Sequence, residues 1–139
     1  MTLSPPRPAP AGFSILARVR SFGYALAGIG FMLRTQHNAW LHLAATAAVV
    51  AAGVWLRIAP GDWRWLTAAC AMVWSAEAFN TAVEYVCDMV SPERSLVVKH
   101  AKDLAAGAVL ICAACALVIG AITFWPYLLA LMAGPSDQV

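Results

Sequence analysis

Residues 63–88 read WRWLTAACAMVWSAEAFNTAVEYVCD, and this stretch decides the fold. It is long enough to cross a bilayer, which takes about 20 mostly apolar residues. Its second half nevertheless carries Glu77, Asn80, Glu84 and Asp88. At about 100° per residue, their steps of three, four and four place all four within an arc of about 80° on one helical face. Continued backward, the same face carries Val73, Cys70 and Leu66, so it is polar at one end only. A single acid at the centre of a span costs about 2.5–3.5 kcal/mol even on the gentlest insertion scales. Ionisable groups inside spans are therefore rare and usually functional. Polar residues also join helices by hydrogen bonding, but that role needs one group, not four in register.

The flanks contain two further spans. One runs from about Trp40 to Ala59 and the other from about Leu104 to Met132, with Trp63 to Cys87 between them. Each must be helical, because hydrocarbon offers no partner to an unpaired backbone group. Pro60-Gly61-Asp62 reads as the turn between the first two spans. Ser91 reads as an N-cap with Pro92 at the first helical position beyond it. Residues 13–35 alternate apolar side chains with Arg18, Arg20 and Arg34, and the expected structure is an amphipathic surface helix with its arginines among the headgroups. A fourth span ranks second, since it would bury Arg18 or Arg20. The expected fold is thus an all-α integral membrane protein with three transmembrane helices and an N-terminal surface helix. One domain, 12–133, lies between a disordered proline-rich tail, 1–11, and a C-terminal tail, 134–139.

Composition agrees with this reading. The 139-residue chain is 62% hydrophobic and 12% charged, about half the charged share of a soluble domain. A net charge of +2 gives no nucleic-acid signal. Arg7, Arg18, Arg20, Arg34, Arg94, Lys99 and Lys102 fall on one side of three spans, against Arg57 and Arg64 on the other. The positive-inside rule puts the N-terminus and the second connection in the cytoplasm of a multi-pass protein. Trp63, Trp65, Trp125 and Tyr127 then mark the opposite interface. Cys112 and Cys115 form a C-x-x-C inside an apolar run with no further ligand nearby, and they read as small hydrophobes. His37 and His42 read as interfacial residues rather than catalysts.

A second constellation, Lys102-Asp103, opens the third span and is followed by small residues that permit close helix approach. A lysine at a helix N-terminus suits phosphate; a lysine snorkelling at a membrane edge is the alternative, preferred for Lys99. Acids and a lysine near the cytoplasmic face fit phosphoryl transfer, which needs a carboxylate-held divalent metal, cations on the phosphates and a base for the attacking hydroxyl. No Walker-type loop and no HRD or DFG set occurs, which excludes a soluble kinase fold. A proton-coupled carrier using Glu77 and Glu84 as a relay is the alternative function. A relay has no need of Lys102-Asp103.

Glu77-Ala78-Phe79-Asn80-Thr81-Ala82-Val83-Glu84, Asp88, Ser91-Pro92-Glu93 and Ala101-Lys102-Asp103-Leu104-Ala105-Ala106-Gly107 resemble the prokaryotic diacylglycerol kinase and undecaprenol kinase family. The resemblance covers about residues 13–125. It implies a homotrimer in the bacterial inner membrane, using Mg²⁺ and ATP to phosphorylate a membrane lipid alcohol at sites between subunits. By resemblance, Glu77 is the general base, and Glu84 holds the metal of Mg-ATP. Asn80 positions reacting groups, Lys102 and Asp103 contact the nucleotide, and Tyr24 lies against it. Arg18 matches an N-terminal basic residue of the family, with Arg20 the alternative. Glu93, Arg94 and Ser95 border the nucleotide. The family often has Tyr-His where Arg94-Ser95 stand, and a phosphate contact or a solvated loop position are both open for Arg94. It also often carries a second metal-binding glutamate where this chain has Gln36, which keeps an oxygen ligand without the charge. The sequence around Gln36 and His42 leans toward the undecaprenol branch, while the acceptor lipid stays open between diacylglycerol and undecaprenol.

Overall fold

A computed structural model describes residues 14–91 and 95–133. The tails expected at 1–11 and 134–139, together with Pro92, Glu93 and Arg94, lie outside the described residues. Among the described residues there are four helices and no strand: α1 (Ile15–Thr35), α2 (His37–Trp55), α3 (Pro60–Val90) and α4 (Leu96–Ala133). Helix α3 is the centre of the chain, packing against α1, α2 and α4.

Ser14 caps α1, its hydroxyl accepting from the Ala17 N–H at 3.4 Å. Gln36 alone separates α1 from α2. Its extended backbone (φ −107°, ψ 117°) closes one helix and opens the next. This kink allows the Gln36 side chain to reach α3.

The first connection differs from the sequence expectation. Pro60-Gly61-Asp62 is not the turn but the first turn of α3, with Ala59 as its N-cap and Asp62 as its acid. Proline tolerates the first helical position because its missing N–H would be unpaired there anyway, and an acid there complements the helix dipole. The chain reverses earlier, at Leu56–Ala59. Here Arg57 adopts φ 52°, and the Ile58 N–H returns to the Gly53 carbonyl at 3.1 Å. Tyr127 of α4 ties this turn down, accepting from the Ala59 N–H at 2.8 Å and donating to Asp62. In the second connection Ser91 closes α3, its N–H bonded to the Cys87 carbonyl at 3.0 Å. The helical start expected at Pro92 lies outside the described residues, and α4 is described from Leu96.

At a rise of 1.5 Å per residue, α3 is about 46 Å long and α4 about 57 Å, both longer than the ~30 Å hydrocarbon layer. Helices α2 and α4 are long and apolar enough to cross a membrane. Helix α3 has the length but is not among them, because its polar face lowers its hydropathy. Side chains such as Leu104, Leu110, Leu117 and Ile122 stand largely exposed along α4, as do Trp40, Leu41 and Val54 on α2. This much uncovered apolar surface is foreign to a water-soluble monomer. The small interior consists of Met32, Ala39, Ile58, Leu66, Ala69, Val73 and Val109, continued by the polar residues Glu77, Asn80 and Thr81.

Candidate active site

The polar face of α3 descends from the interior to the surface. Glu77 is 1% exposed and Asn80 4%. Glu84 is half-buried and Asp88 exposed. Each level meets a partner from a different element.

At the innermost level, the Glu77 carboxylate faces His42 of α2, with Oε2 at 3.6 Å from Nε2. That separation is beyond a hydrogen bond. Among the described residues, His42 Nε2 and both Glu77 oxygens are buried without a hydrogen-bond partner. Trp74 stands edge-on to the His42 ring with centroids 6.3 Å apart. Its indole N–H donates to Thr46 Oγ1 at 3.1 Å, and the Thr46 hydroxyl donates to the His42 carbonyl at 2.7 Å. His42 therefore turns inward, toward α3. The polar-residue rule that singles out Glu77 applies equally to a histidine inside a span, and that was the signal available in the sequence.

At the middle level, Glu84 receives two amides. Asn80 Nδ2 donates to Oε1 at 3.1 Å, and Gln36 Nε2 donates to Oε2 at 3.3 Å. The two residues read as metal-binding, Glu84 and Gln36, thus meet across 48 positions of chain. Asn80 Oδ1 is buried with no partner among the described residues.

At the outer level, the Lys102 ammonium pairs with Asp88. This hydrogen bond holds Lys102 above the usual lysine range, so it stays charged at any physiological pH. Asp103 pairs with Lys99, one turn earlier on α4. The adjacent residues Lys102 and Asp103 therefore point to different partners, and only Lys102 joins the α3 face.

The remaining predicted residues stand apart within one chain. Arg18, Arg20 and Tyr24 are exposed on α1, Tyr24 at 75%. Counting 1.5 Å per residue, Tyr24 lies about 18 Å along α1 from Gln36 and Arg18 about 27 Å. Ser95 precedes α4 and accepts from the Lys99 N–H at 3.0 Å. Glu93 and Arg94 lie outside the described residues.

A cavity of about 400 Å³ opens beside His42. Apart from His42 and Thr46 its lining is almost wholly apolar, with Val73 from α3 and Ala113, Leu117 and Phe124 from α4. The site therefore has a buried carboxylate behind His42, which lines an apolar cavity. A cluster of oxygen donors lies one to two turns further along α3, with a lysine beyond it.

The family model described as prokaryotic diacylglycerol kinase matches residues 23–124. An undecaprenol kinase of Bacillus subtilis is 34% identical over 109 residues, covering 78% of this chain and 89% of that protein. A diacylglycerol kinase of Synechocystis sp. is 37% identical over 113 residues, covering 81% of this chain and 65% of that protein.

Proposed function

The chain belongs to the prokaryotic diacylglycerol kinase family, a family of membrane lipid kinases, and we propose that it transfers the γ-phosphoryl group of ATP to the hydroxyl of a membrane lipid alcohol, diacylglycerol or undecaprenol. The observation that carries this reading is the buried Glu77 carboxylate facing His42, a residue that itself lines the apolar cavity. A long-chain alcohol has the matching form, an apolar body with one hydroxyl at its end.

In this reading Glu77 accepts the hydroxyl proton as the alcohol oxygen bonds to the γ-phosphorus. The bond from that phosphorus to the bridging oxygen breaks, and ADP leaves. Lys102, charged and near the outer end of the face, sets its ammonium against the nucleotide phosphates, exchanging Asp88 for them. Asp103 and Ser95 flank that position. Arg18, Tyr24, Glu93 and Arg94 are assigned to the nucleotide by family resemblance. The distance of Arg18 and Tyr24 from Gln36 along α1 suits a homotrimer in which a neighbouring subunit supplies them.

The donors around Glu84 suit Mg²⁺, which takes hard oxygen ligands and seldom more than one or two carboxylates. Rotating the Gln36 and Asn80 amides exchanges the N–H groups now on Glu84 for oxygens, one of which, Asn80 Oδ1, is already unpartnered. When bound, Mg²⁺ neutralises the charge on the transferring phosphate. The protein groups holding it are Glu84, Gln36 and Asn80.

We place α2, α3 and α4 across the bacterial inner membrane, with the N-terminus and the α3–α4 connection cytoplasmic and α1 at the surface. The basic residues on that side support this arrangement. A proton-coupled carrier would need polar groups along the whole span. The interior of α3 before Glu77 is instead Leu66, Ala69 and Val73.

The test uses proteoliposomes supplied with Mg-ATP and either diacylglycerol or undecaprenol. Wild-type protein phosphorylates one of them. Glu77→Gln lowers the rate by at least about 10²-fold, the usual contribution of a general base, with helicity and ATP binding retained. Absence of phosphorylated lipid with both acceptors would retire the reading.

A further inference from the structure

Glu77 is the largest fully buried side chain, and the group it faces across the helix interface is His42. A buried carboxylate without a partner is costly, so the identity of that group matters to any chemistry done there. His42 and Thr46 sit one turn apart on α2, and Trp74 and Glu77 sit about one turn apart on α3. The four form a brace. Thr46 bonds the backbone of His42 and receives the Trp74 indole, Trp74 stands against the imidazole edge, and the imidazole meets Glu77. The cavity wall that His42 shares holds no carboxylate and no cation. From α4 it takes Ala113, Ala116 and Leu117, and from α3 Val73 and Cys70. The next carboxylate along α3, Glu84, is already engaged by Asn80 and Gln36. His42 also lines the apolar cavity, so it stands between Glu77 and the space that in this reading takes the acceptor alcohol.

We propose that His42 is the positioning residue of the lipid kinase reaction, its Nε2–H directed to Glu77 Oε2 so that the other carboxylate oxygen is left for the acceptor hydroxyl. The inference rests on the lipid kinase reading of Glu77 and adds a residue to it. The 3.6 Å gap closes to a hydrogen bond with a small rotation of either side chain, and catalytic contacts are often long before substrates bind. The proton transfer itself is unchanged: the alcohol proton passes to Glu77, and His42 neither gives nor takes a proton.

Two measurements test it. In proteoliposomes, His42→Ala lowers kcat on the order of tenfold to a hundredfold, the penalty for a misplaced catalytic group, while KM for Mg-ATP stays near the wild-type value. His42→Gln, whose amide N–H takes the place of Nε2–H, recovers most of the loss. An Ala variant with wild-type kcat, or a Gln variant no better than Ala, overturns the proposal. Independently of activity, the full-length protein labelled with ¹⁵N-histidine in bilayers reports the imidazoles of His37, His42 and His100. Glu77→Gln shifts the His42 signals, assigned through His42→Gln, and leaves the other two in place. Unchanged His42 signals overturn the pairing. An inactive wild type would retire the kinase reading, and the imidazole signals would still decide the pairing.

Discussion

Gln36 Nε2 lies 3.3 Å from Glu84 Oε2, an amide donating to a carboxylate across the junction of α1, α2 and α3. The contact exists because Gln36 is the single extended residue between two helices, and its side chain leaves the helical path at that point. Gln36 donates an N–H to Glu84 where a second carboxylate would repel it. In the proposed Mg²⁺ site, the neutrality of that amide would weaken the hold on the cation.

That exchange sets the first prediction. Gln36→Glu adds a second anionic ligand, and metal affinity rises with ligand charge. The half-saturating Mg²⁺ concentration for lipid phosphorylation falls on the order of tenfold in the variant. Without Mg²⁺, the two carboxylates repel and the variant unfolds at a lower temperature than wild type. Mg²⁺ titrations of initial rate and of unfolding temperature check both halves. Identical titrations in the two proteins would remove Gln36 from the metal site.

The Lys102–Asp88 pair yields the second prediction. Lys102→Ala removes a charge from the phosphates and raises KM for ATP on the order of tenfold to a hundredfold, as for hydrogen bonds to charged groups. The unfolding temperature hardly changes, because the pair is solvent-exposed. Asp88→Asn frees Lys102 from its partner, so KM for ATP stays level or falls. Initial rates against ATP at saturating Mg²⁺ distinguish the two variants. Equal increases in KM would mean that Asp88 itself binds the nucleotide, or that the pair acts as a unit.

The α3 face was legible because its period is local: steps of three and four define one side of a helix wherever that helix packs. The first connection was not. Pro-Gly-Asp serves equally as a turn and as a helical first turn, and only the αL residue Arg57, which nothing in sequence marks, moves the reversal upstream. The Glu77–His42 pairing depends on how α2 rotates against α3, and the rotation is set by packing that no local pattern carries. Gln36 was reached through family resemblance. Its contact with Glu84 needs the kink between α1 and α2. Lys102 and Asp103 are neighbours in sequence, but successive helical residues point about 100° apart. Lys102 accordingly meets Asp88, while Asp103 turns back to Lys99.

A third prediction concerns the clamp at the opposite end of the bundle. Tyr127 links α4 to the α2–α3 turn through one hydroxyl, which accepts from Ala59 and donates to Asp62. Tyr127→Phe removes both bonds and leaves the ring in place. The unfolding temperature in detergent falls by a few degrees, and hydrogen exchange at the Ala59 N–H rises markedly. KM for ATP is unchanged, because the clamp lies at the far end of α3 from Glu84 and Asp88. Unchanged exchange at Ala59 would show that the hydroxyl does not hold the turn.

The last prediction isolates a packing constraint from any chemistry. Helices α2 and α3 close on each other where Trp63 lies over Gly53. A Cβ added at Gly53 would fall 2.7 Å from Trp63 Cη2, 2.9 Å from Cζ2 and 3.1 Å from Ile58 Cδ1. The indole is rigid and cannot yield at its tip as a flexible chain does, so the helices must separate. Gly53→Ala therefore destabilises the protein by about 1–3 kcal/mol, the usual range for overpacking, against the small gain in helix propensity that alanine brings. Trp63→Leu removes the atoms in the way, and the double variant recovers most of the loss. Residues in contact depart from additivity in this way. Thermal unfolding of the four proteins in one detergent supplies the double-mutant cycle. Strictly additive losses would mean that Gly53 is required by something other than the Trp63 ring.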